Sequence, residues 1–418
     1  MKSILFLLPV LLVCGALTAQ GLIIPAGAYV TGGNAQLVMH KNWTNNGSFT
    51  ANSSTVVFAG NTQTINGSST TTFNNISIAS GSNTSVATSN QFVKNTLLSN
   101  GTLNANGLVT LLSGPTQTAA IDGSGIGEVL GNITVQRYLA AGFGYKYVSS
   151  PFQAATVNEF ANEINLAAIF PAFYKHDENQ SSNGWITYTG SSSVLSPMRG
   201  YAANLGAATS PVTIDMTGVV NNHNLSISLS NNNKPYTQGF NLVGNPYPSP
   251  INWDAPGGWT KTNIDNAVYF FNAGGANQYT GVYSSYINGV SSNGSASNII
   301  AAMQGFFVHV TAGSFPVAGL LGINNNARII NNNASFFRVG GGEDKMPLLR
   351  LQAALPDISA STDPVVVYFT DNASNGFEAT LDALKLMNTD SLTPSIYAVA
   401  AEKENYLYRH WPWQAIHS

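Results

Sequence analysis

The feature that most constrains this chain is a spacing. Apolar clusters stand at Leu37-Val38-Met39, Val56-Val57-Phe58, Ile76 with Ile78, and Leu97-Leu98. Successive clusters lie about 19, 20 and 21 residues apart, within the range of solenoid repeats. Turn residues separate them: Asn45-Asn46-Gly47, Ala59-Gly60-Asn61, Asn66-Gly67-Ser68 and Ser80-Gly81-Ser82. A short strand between such turns cannot bury an apolar face alone, whereas stacked repeats share one continuous core. Residues 20–130 are therefore expected to form solenoid-like (β-helix) repeats, with Asn side chains laddering at the corners. An ordinary β-sandwich with regular hairpins is the alternative. Between residues 21 and 131 the charged residues are Lys41, Lys94, Asp122 and Glu128, which suits coils stacked in register, since like charges placed opposite one another repel.

A second, longer repeat follows. Gly144-Tyr145-Lys146-Tyr147-Val148-Ser149-Ser150-Pro151-Phe152 aligns with Gly239-Phe240-Asn241-Leu242-Val243-Gly244-Asn245-Pro246-Tyr247. Pro197-Met198-Arg199-Gly200-Tyr201-Ala202 aligns with Ala302-Met303-Gln304-Gly305-Phe306-Phe307, and Gly218-Val219-Val220-Asn221-Asn222 with Gly322-Ile323-Asn324-Asn325-Asn326. The order is kept at offsets of roughly 95 to 105 residues, as in a duplication with a loop insertion. Two tandem, related β-sandwich-like units are expected, at 131–235 and 236–339. Each motif strand ends at a Pro, which cannot continue a ladder. The run Gly305-Phe306-Phe307-Val308-His309-Val310 is apolar almost throughout, as a strand buried on both faces would be. One helix is expected, over residues 156–169, opened by Thr156 with Glu159 at capping-box spacing. After the Gly340-Gly341-Gly342 linker, charged residues become common, and strands at 348–352 and 364–369 begin a further β-domain. No closing strand pattern follows, so residues 340–418 read as a partial, truncated domain. The fold class is all-β.

Residues 1–19 read as a secretory signal: Lys2, a short apolar core from Ile4 to Val13, and a small-residue exit. The one cysteine, Cys14, lies inside it, in a loose match to a lipoprotein box. Export without disulfides is expected, with a lipoprotein attached through Cys14 as the alternative. The chain has 418 residues with 16 Lys and Arg and a net charge of −3. So few basic residues form no stripe for a phosphate backbone, which argues against nucleic acid as a partner. No run is long and apolar enough for a transmembrane span in the mature chain.

Catalytic chemistry is hard to find. The six His include no pair at metal-ligand spacing, and no metal or cofactor is expected. His309 reads as a satisfied core histidine, and His176-Asp177-Glu178 as a solvated loop. Gly123-Ser124-Gly125-Ile126-Gly127 reads as a glycine turn. Asp371-Asn372-Ala373-Ser374-Asn375-Gly376 with Asp382 resembles a degraded calcium loop, for which a plain turn is the default. Asp177, Glu178, Asp215, Asp254 and Asp265 are the middle region's carboxylates, and no pair suited to glycoside hydrolysis is legible among them. Aromatic rings remain. Trp185, Tyr188 and Tyr201, and then Trp253, Trp259, Tyr279, Tyr283 and Tyr286, lie among Gly, Asn and Ser. A ring that stacks on a sugar face beside amides that take its hydroxyls is one way to bind carbohydrate. Trp185, Tyr201, Trp253 and Trp259 are the candidates, against the plainer reading that such rings plug the ends of sandwiches.

Several of these segments resemble stretches of large secreted and cell-surface proteins of Bacteroidota. They are the 239–253 run through Asn252-Trp253, Gly131-Asn132-Ile133-Thr134-Val135-Gln136-Arg137-Tyr138-Leu139, Met303-Gln304-Gly305-Phe306-Phe307-Val308, Asn375-Gly376-Phe377-Glu378, and Asn42-Trp43-Thr44-Asn45-Asn46-Gly47-Ser48-Phe49. The resemblance implies export by the Sec route and then by type IX secretion, whose cargo ends in a sorting domain that this chain does not show. It transfers no catalytic residue. An exported, cell-surface, adhesin-like structural protein without catalysis is the expectation. A carbohydrate-binding module of a polysaccharide-utilising system is the alternative, and a glycoside hydrolase or other hydrolase the third reading.

Overall fold

The computed structural model describes residues 21–273, 277–331, 346–355, 362–371, 373–374, 376–388, 394–399 and 405–412. The signal segment with Cys14, the triple-glycine linker, and Asn372 and Asn375 of the calcium-like loop lie outside the described residues.

The short repeat folds as a β-solenoid with two long parallel sheets. One stacks Leu22–Ile24, Trp43–Asn45, Thr62–Asn66, Asn83–Val86, Thr102–Asn104 and Glu128–Leu130. The other stacks Gln36–Met39, Thr55–Phe58, Thr71–Ile78, Gln91–Ser99, Val109–Leu111 and Ile133–Leu139. Register is kept from coil to coil: Met39 lies opposite Phe58, Phe58 opposite Ile78, Trp43 opposite Ile65 and Ile65 opposite Val86. Alternate side chains point inward, so Ile24, Trp43, Ile65, Val86 and Leu103 meet Met39, Phe58, Phe73, Val93 and Leu111 in one buried column. Trp43 sits edge-on to Phe49 at 4.9 Å and tilted against Phe73 at 5.2 Å. The expected amide ladder is present: Gln117 donates to Asn95 at 3.0 Å, Asn95 to Asn75 at 2.7 Å, and Asn75 to Thr55 Oγ1 at 3.1 Å.

The last coil is also the start of the next unit. Ile133–Leu139 pairs in parallel with Val109–Leu111 on one edge and antiparallel with Val212–Gly218 on the other. The facing sheet runs in the order Tyr145–Val148, Tyr201–Asn204, Phe173–His176, Trp185–Thr187. The second unit repeats this arrangement. Leu225–Asn231 pairs antiparallel with Val317–Ile323, and the facing sheet runs Phe240–Gly244, Gly305–His309, Val268–Ala273, Gly281–Ile287. By its pairing, Leu225–Asn231 belongs with the second unit, although it precedes residue 236. An added strand, Trp259–Thr262, also joins Val317–Ile323, and such an insertion accounts for the growth of the offset along the repeat.

The units meet through reciprocal contacts. Ser149 N donates to Met303 O at 2.9 Å, and its counterpart Gly244 N donates to Met198 O at 2.8 Å. Val148 bridges Gln304 as Val243 bridges Arg199. Met198 and Met303 both have left-handed backbone, φ 60° and 62°. Each inserts into the other unit's core, Met303 among Phe152, Phe173 and Tyr201, and Met198 among Tyr247, Phe270 and Phe306. The relation is self-complementary, as across a twofold interface. It explains why Gly305–His309 is buried on both faces: Phe306 and Val308 face the second unit's own core, while Phe307 joins the cluster between the units with Tyr147 and Leu242.

Beyond residue 345 the described residues form a sheet of five strands. Leu348–Ala354 and Thr362–Thr370 match the expected pair, and Ala383–Leu384, Ala398–Val399 and Asn405–Pro412 add three that a search for a closing strand pattern did not find. The strands at Ala383–Leu384 and Ala398–Val399 have two residues each and carry no periodicity to read, whereas Asn405–Pro412 has eight. Lys385 Nζ is held at 2.6 and 2.7 Å from the two oxygens of Asp363, both side chains fully buried. Asn388 Nδ2 and Ile396 N also donate to this carboxylate. The expected helix at 156–169 is absent: Val157–Phe160 is a single 3-10 turn, and the Thr156 side chain makes no cap bond. Val157 N instead donates to Ser193 O and Asn158 N to Ser191 O. Val157, Phe160 and Ile164 still reach the core. The helix was wrongly read: after the 3-10 turn the backbone closes only isolated turns, Ala161 N onto Asn158 O and Glu163 N and Ile164 N onto Phe160 O.

The Gly244 contact gives a test of the seam. A Cβ at Gly244 would lie 2.2 Å from Ser149 Cβ. Gly244→Ala is predicted to destabilise by about 1–3 kcal/mol through overpacking. Adding Ser149→Gly should make the double change cost less than the sum of the single ones in urea melts. Strict additivity would show that the two positions do not oppose each other.

Candidate functional site

The outer faces of the two facing sheets, on the side away from each unit's own core, come together around a cavity of about 280 Å³. Period-2 alternation sets this up. Along Tyr145–Val148, Val148 enters the first unit's core while Tyr145 and Tyr147 turn toward the second unit. Trp185 and Tyr174, on neighbouring strands, extend the wall. The second unit contributes Phe271, Tyr279 and Tyr283, and Asn183 and the exposed Phe170 complete the rim.

The rings brace one another. Tyr147 stacks on Phe271 with centroids 5.2 Å apart and lies 5.6 Å from Trp185. The hydroxyls of Tyr147 and Tyr283 share a hydrogen bond of 2.8 Å across the seam. Burial raises the Tyr145 and Tyr283 hydroxyls to about 12 and pushes Tyr147 up as well, so all three remain neutral and able to donate. Trp185 is half-buried, and its backbone N donates to Asn183 Oδ1 at 3.3 Å on the rim. Behind it, His176 is wedged edge-on between Trp185 at 5.1 Å and Phe307 at 5.0 Å. The site offers apolar ring faces with neutral hydroxyl and amide groups among them. It suits a ligand with alternating C–H and O–H surface, and it places no charged side chain in the wall.

The sequence candidates separate cleanly. Trp185 lines the cleft. Tyr201 does not: it is 1% exposed, stacked 5.7 Å from Tyr188, with its hydroxyl accepting from Ser196 N. Trp253 is likewise 1% exposed, with Nε1 donating to Asn266 O and Lys261 Nζ 3.6 Å above its ring. Trp259 packs 4.7 Å from Trp253 and donates to Asn252 O. Reading Tyr201 and Trp253 as sugar platforms is therefore corrected, because their rings are buried, and the half-buried Trp259 lies outside the cleft. Tyr279 and Tyr283 belong to the cleft, as do Tyr145, Tyr147, Tyr174, Phe170 and Phe271, which the sequence reading missed. The paired tyrosines at 145 and 147 were visible in the repeat. That their shared face looks onto a second unit was not.

His176-Asp177-Glu178 also needs correcting, since it is no solvated loop. Glu178 is 3% exposed and accepts from Asn232 N, Asn232 Nδ2 and Gly239 N, which ties the first unit to the second. His309 is a satisfied core residue, with Nδ1 2.6 Å from Asp265 and Nε2 2.9 Å from Gln238 O. Asp254 accepts from the Tyr286 hydroxyl. Asp382 is buried and accepts from Glu378 N. Among the described residues no group of three His, Cys, Asp or Glu is arranged to hold a metal ion, and no helix is long and apolar enough to cross a membrane.

A family described as a domain of unknown function (DUF8693) matches residues 31–408. No curated protein and no solved structure matches the chain.

His176 supports the cleft from behind, and burial holds its imidazole down at about 4. The unfolded chain takes up a proton near pH 6.5 that the folded protein resists. Stability from this group is therefore complete above about pH 6.5 and lost as pH falls toward 4, by about 3 kcal/mol. Between pH 7 and pH 4 the native protein is predicted to lose that much more unfolding free energy than His176→Leu does. Equal losses in urea melts would show that His176 is not held neutral.

Proposed function

For this chain, which belongs to the DUF8693 family, we propose an exported, non-catalytic, adhesin-like role, in which the solenoid carries a paired β-head that binds carbohydrate. The aromatic cleft between the units is the observation that carries this reading. Ring faces of the half-buried Trp185 and Tyr145, braced from behind by the buried Tyr147, suit the C–H face of a sugar. The neutral hydroxyls of Tyr145 and Tyr283 and the amide of Asn183 suit its hydroxyls. Wall charge would favour an ionic ligand, and none lines the cavity. The resemblance to Bacteroidota surface proteins supports passage through the Sec machinery and type IX secretion, with the surface of the cell as the address. A hydrolase is the lesser reading, because the carboxylates Glu178, Asp254 and Asp265 are each engaged in separate structural bonds.

The full chain applied to an array of neutral, acidic and amino-sugar glycans should bind at least one class. Trp185→Ala should weaken that binding at least tenfold, while its urea midpoint stays within the range of a half-exposed surface change. Binding unaffected by Trp185→Ala, or no binding to any glycan, would overturn the assignment. Turnover of a bound polysaccharide would favour the hydrolase.

A further inference from the structure

Beside the aromatic cavity lies a second one of about 400 Å³, and the rings of Phe170 and Tyr279 line both. Their centroids are 5.0 Å apart in an edge-on arrangement, and both are exposed, at 56% and 48%. Two exposed rings paired at a common wall are costly to leave in water and mark a contact surface. The second cavity has a different chemistry. Its wall carries the amides of Asn165, Asn204 and Gln278 and the carboxyl group of Glu163. Gln278 Nε2 donates to the Tyr279 hydroxyl at 3.1 Å, and Asn204 hydrogen-bonds Tyr145, so polar contacts run from one compartment into the other. Burial, with the neighbouring charge of Asp215, raises the Glu163 carboxyl to about 7, so it is only part-ionised near neutral pH.

We propose that the two cavities are consecutive subsites of one groove for a chain of sugars, a stacking subsite at Trp185 and Tyr145 and a hydrogen-bonding subsite at Asn204, Gln278 and Glu163, divided by the Phe170–Tyr279 pair. This deepens the carbohydrate reading and rests on it. A single sugar fills the aromatic compartment alone. A longer oligomer lays its next unit across the divider and gains the amide contacts. Both compartments are of the size used by small-ligand sites, and amides serve hydroxyls as donor and acceptor at once.

Titration of the full chain, followed by Trp fluorescence, with gluco-, xylo-, manno- and chito-oligosaccharides of one to four units tests this. In at least one series, affinity should rise tenfold or more between one and three units. Glu163→Gln and Gln278→Ala should each lower trisaccharide affinity threefold or more, and lower monosaccharide affinity by less than they lower trisaccharide affinity. Phe170→Ala, at an exposed position, should flatten the dependence on length without shifting the melting temperature. Equal affinity for one and three units in every series that binds would overturn the second subsite and leave the carbohydrate reading standing. Binding in none of the series, or binding of a proline-rich peptide in their place, would overturn both.

Discussion

The open edge of a parallel sheet is the constraint on which the rest of the structure depends. A solenoid coil satisfies its backbone only through its neighbours, and the final coil leaves a row of unpaired donors and acceptors. Here Val212–Gly218 covers that row by pairing antiparallel with Ile133–Leu139. Because Ile133–Leu139 is also the first strand of a sandwich, the cap is a whole folded unit. The solenoid core runs without a break into that unit: Val135, Ile214, Met216 and Phe152 lie in one cluster with Phe58 and Phe73. Arg328, from the far end of the second unit, adds a tie by donating to Ile121 O on the last coil at 2.7 Å.

Duplication then creates what one unit lacks. A single sandwich of this topology exposes the outer face of its larger sheet, with Tyr145 and Tyr147 in the first unit and Phe240 and Leu242 in the second. Pairing the copies about a pseudo-twofold axis buries most of that surface and exchanges Met198 for Met303 between the cores. The symmetry is not complete. Where the second unit keeps aliphatic and phenyl packing, the first has tyrosine and tryptophan, so one end of the seam stays open as the cleft. A site made in this way depends on both copies, and either alone would show only a half-exposed aromatic patch.

Much of this was legible in the residues. The 19-to-21-residue spacing of apolar clusters gave the coils, and the Asn75, Asn95 and Gln117 ladder followed from polar residues recurring at the same corner. The Gly-aromatic-polar-apolar-Val motif marked equivalent strands, and the unbroken apolar run at 305–310 marked a strand with a core on each side. Other features depend on contacts across long chain separations. Thr156 and Glu159 have capping-box spacing, yet the Thr156 side chain makes no cap bond and the segment closes only a 3-10 turn at Val157–Phe160. Glu178 looks like a loop acid until residues 230–239 arrive with their donors. Trp253 and Trp185 both lie near Gly and Asn, and only the neighbouring elements decide that Lys261 and Trp259 close over one while the other stays partly open.

The amide ladder has a consequence for length. The ladder repeats one kind of hydrogen bond from coil to coil through Thr55, Asn75, Asn95 and Gln117, so a coil carrying a matching amide could be inserted or lost there without a new interface being invented. Each would change the reach of the stack by one strand spacing, about 4.8 Å. The six strands of each sheet then act as a graduated ruler of about 25 Å, with the paired units fixed at its last mark. Gain or loss of one coil would alter how far the head stands from its base while leaving the head itself untouched.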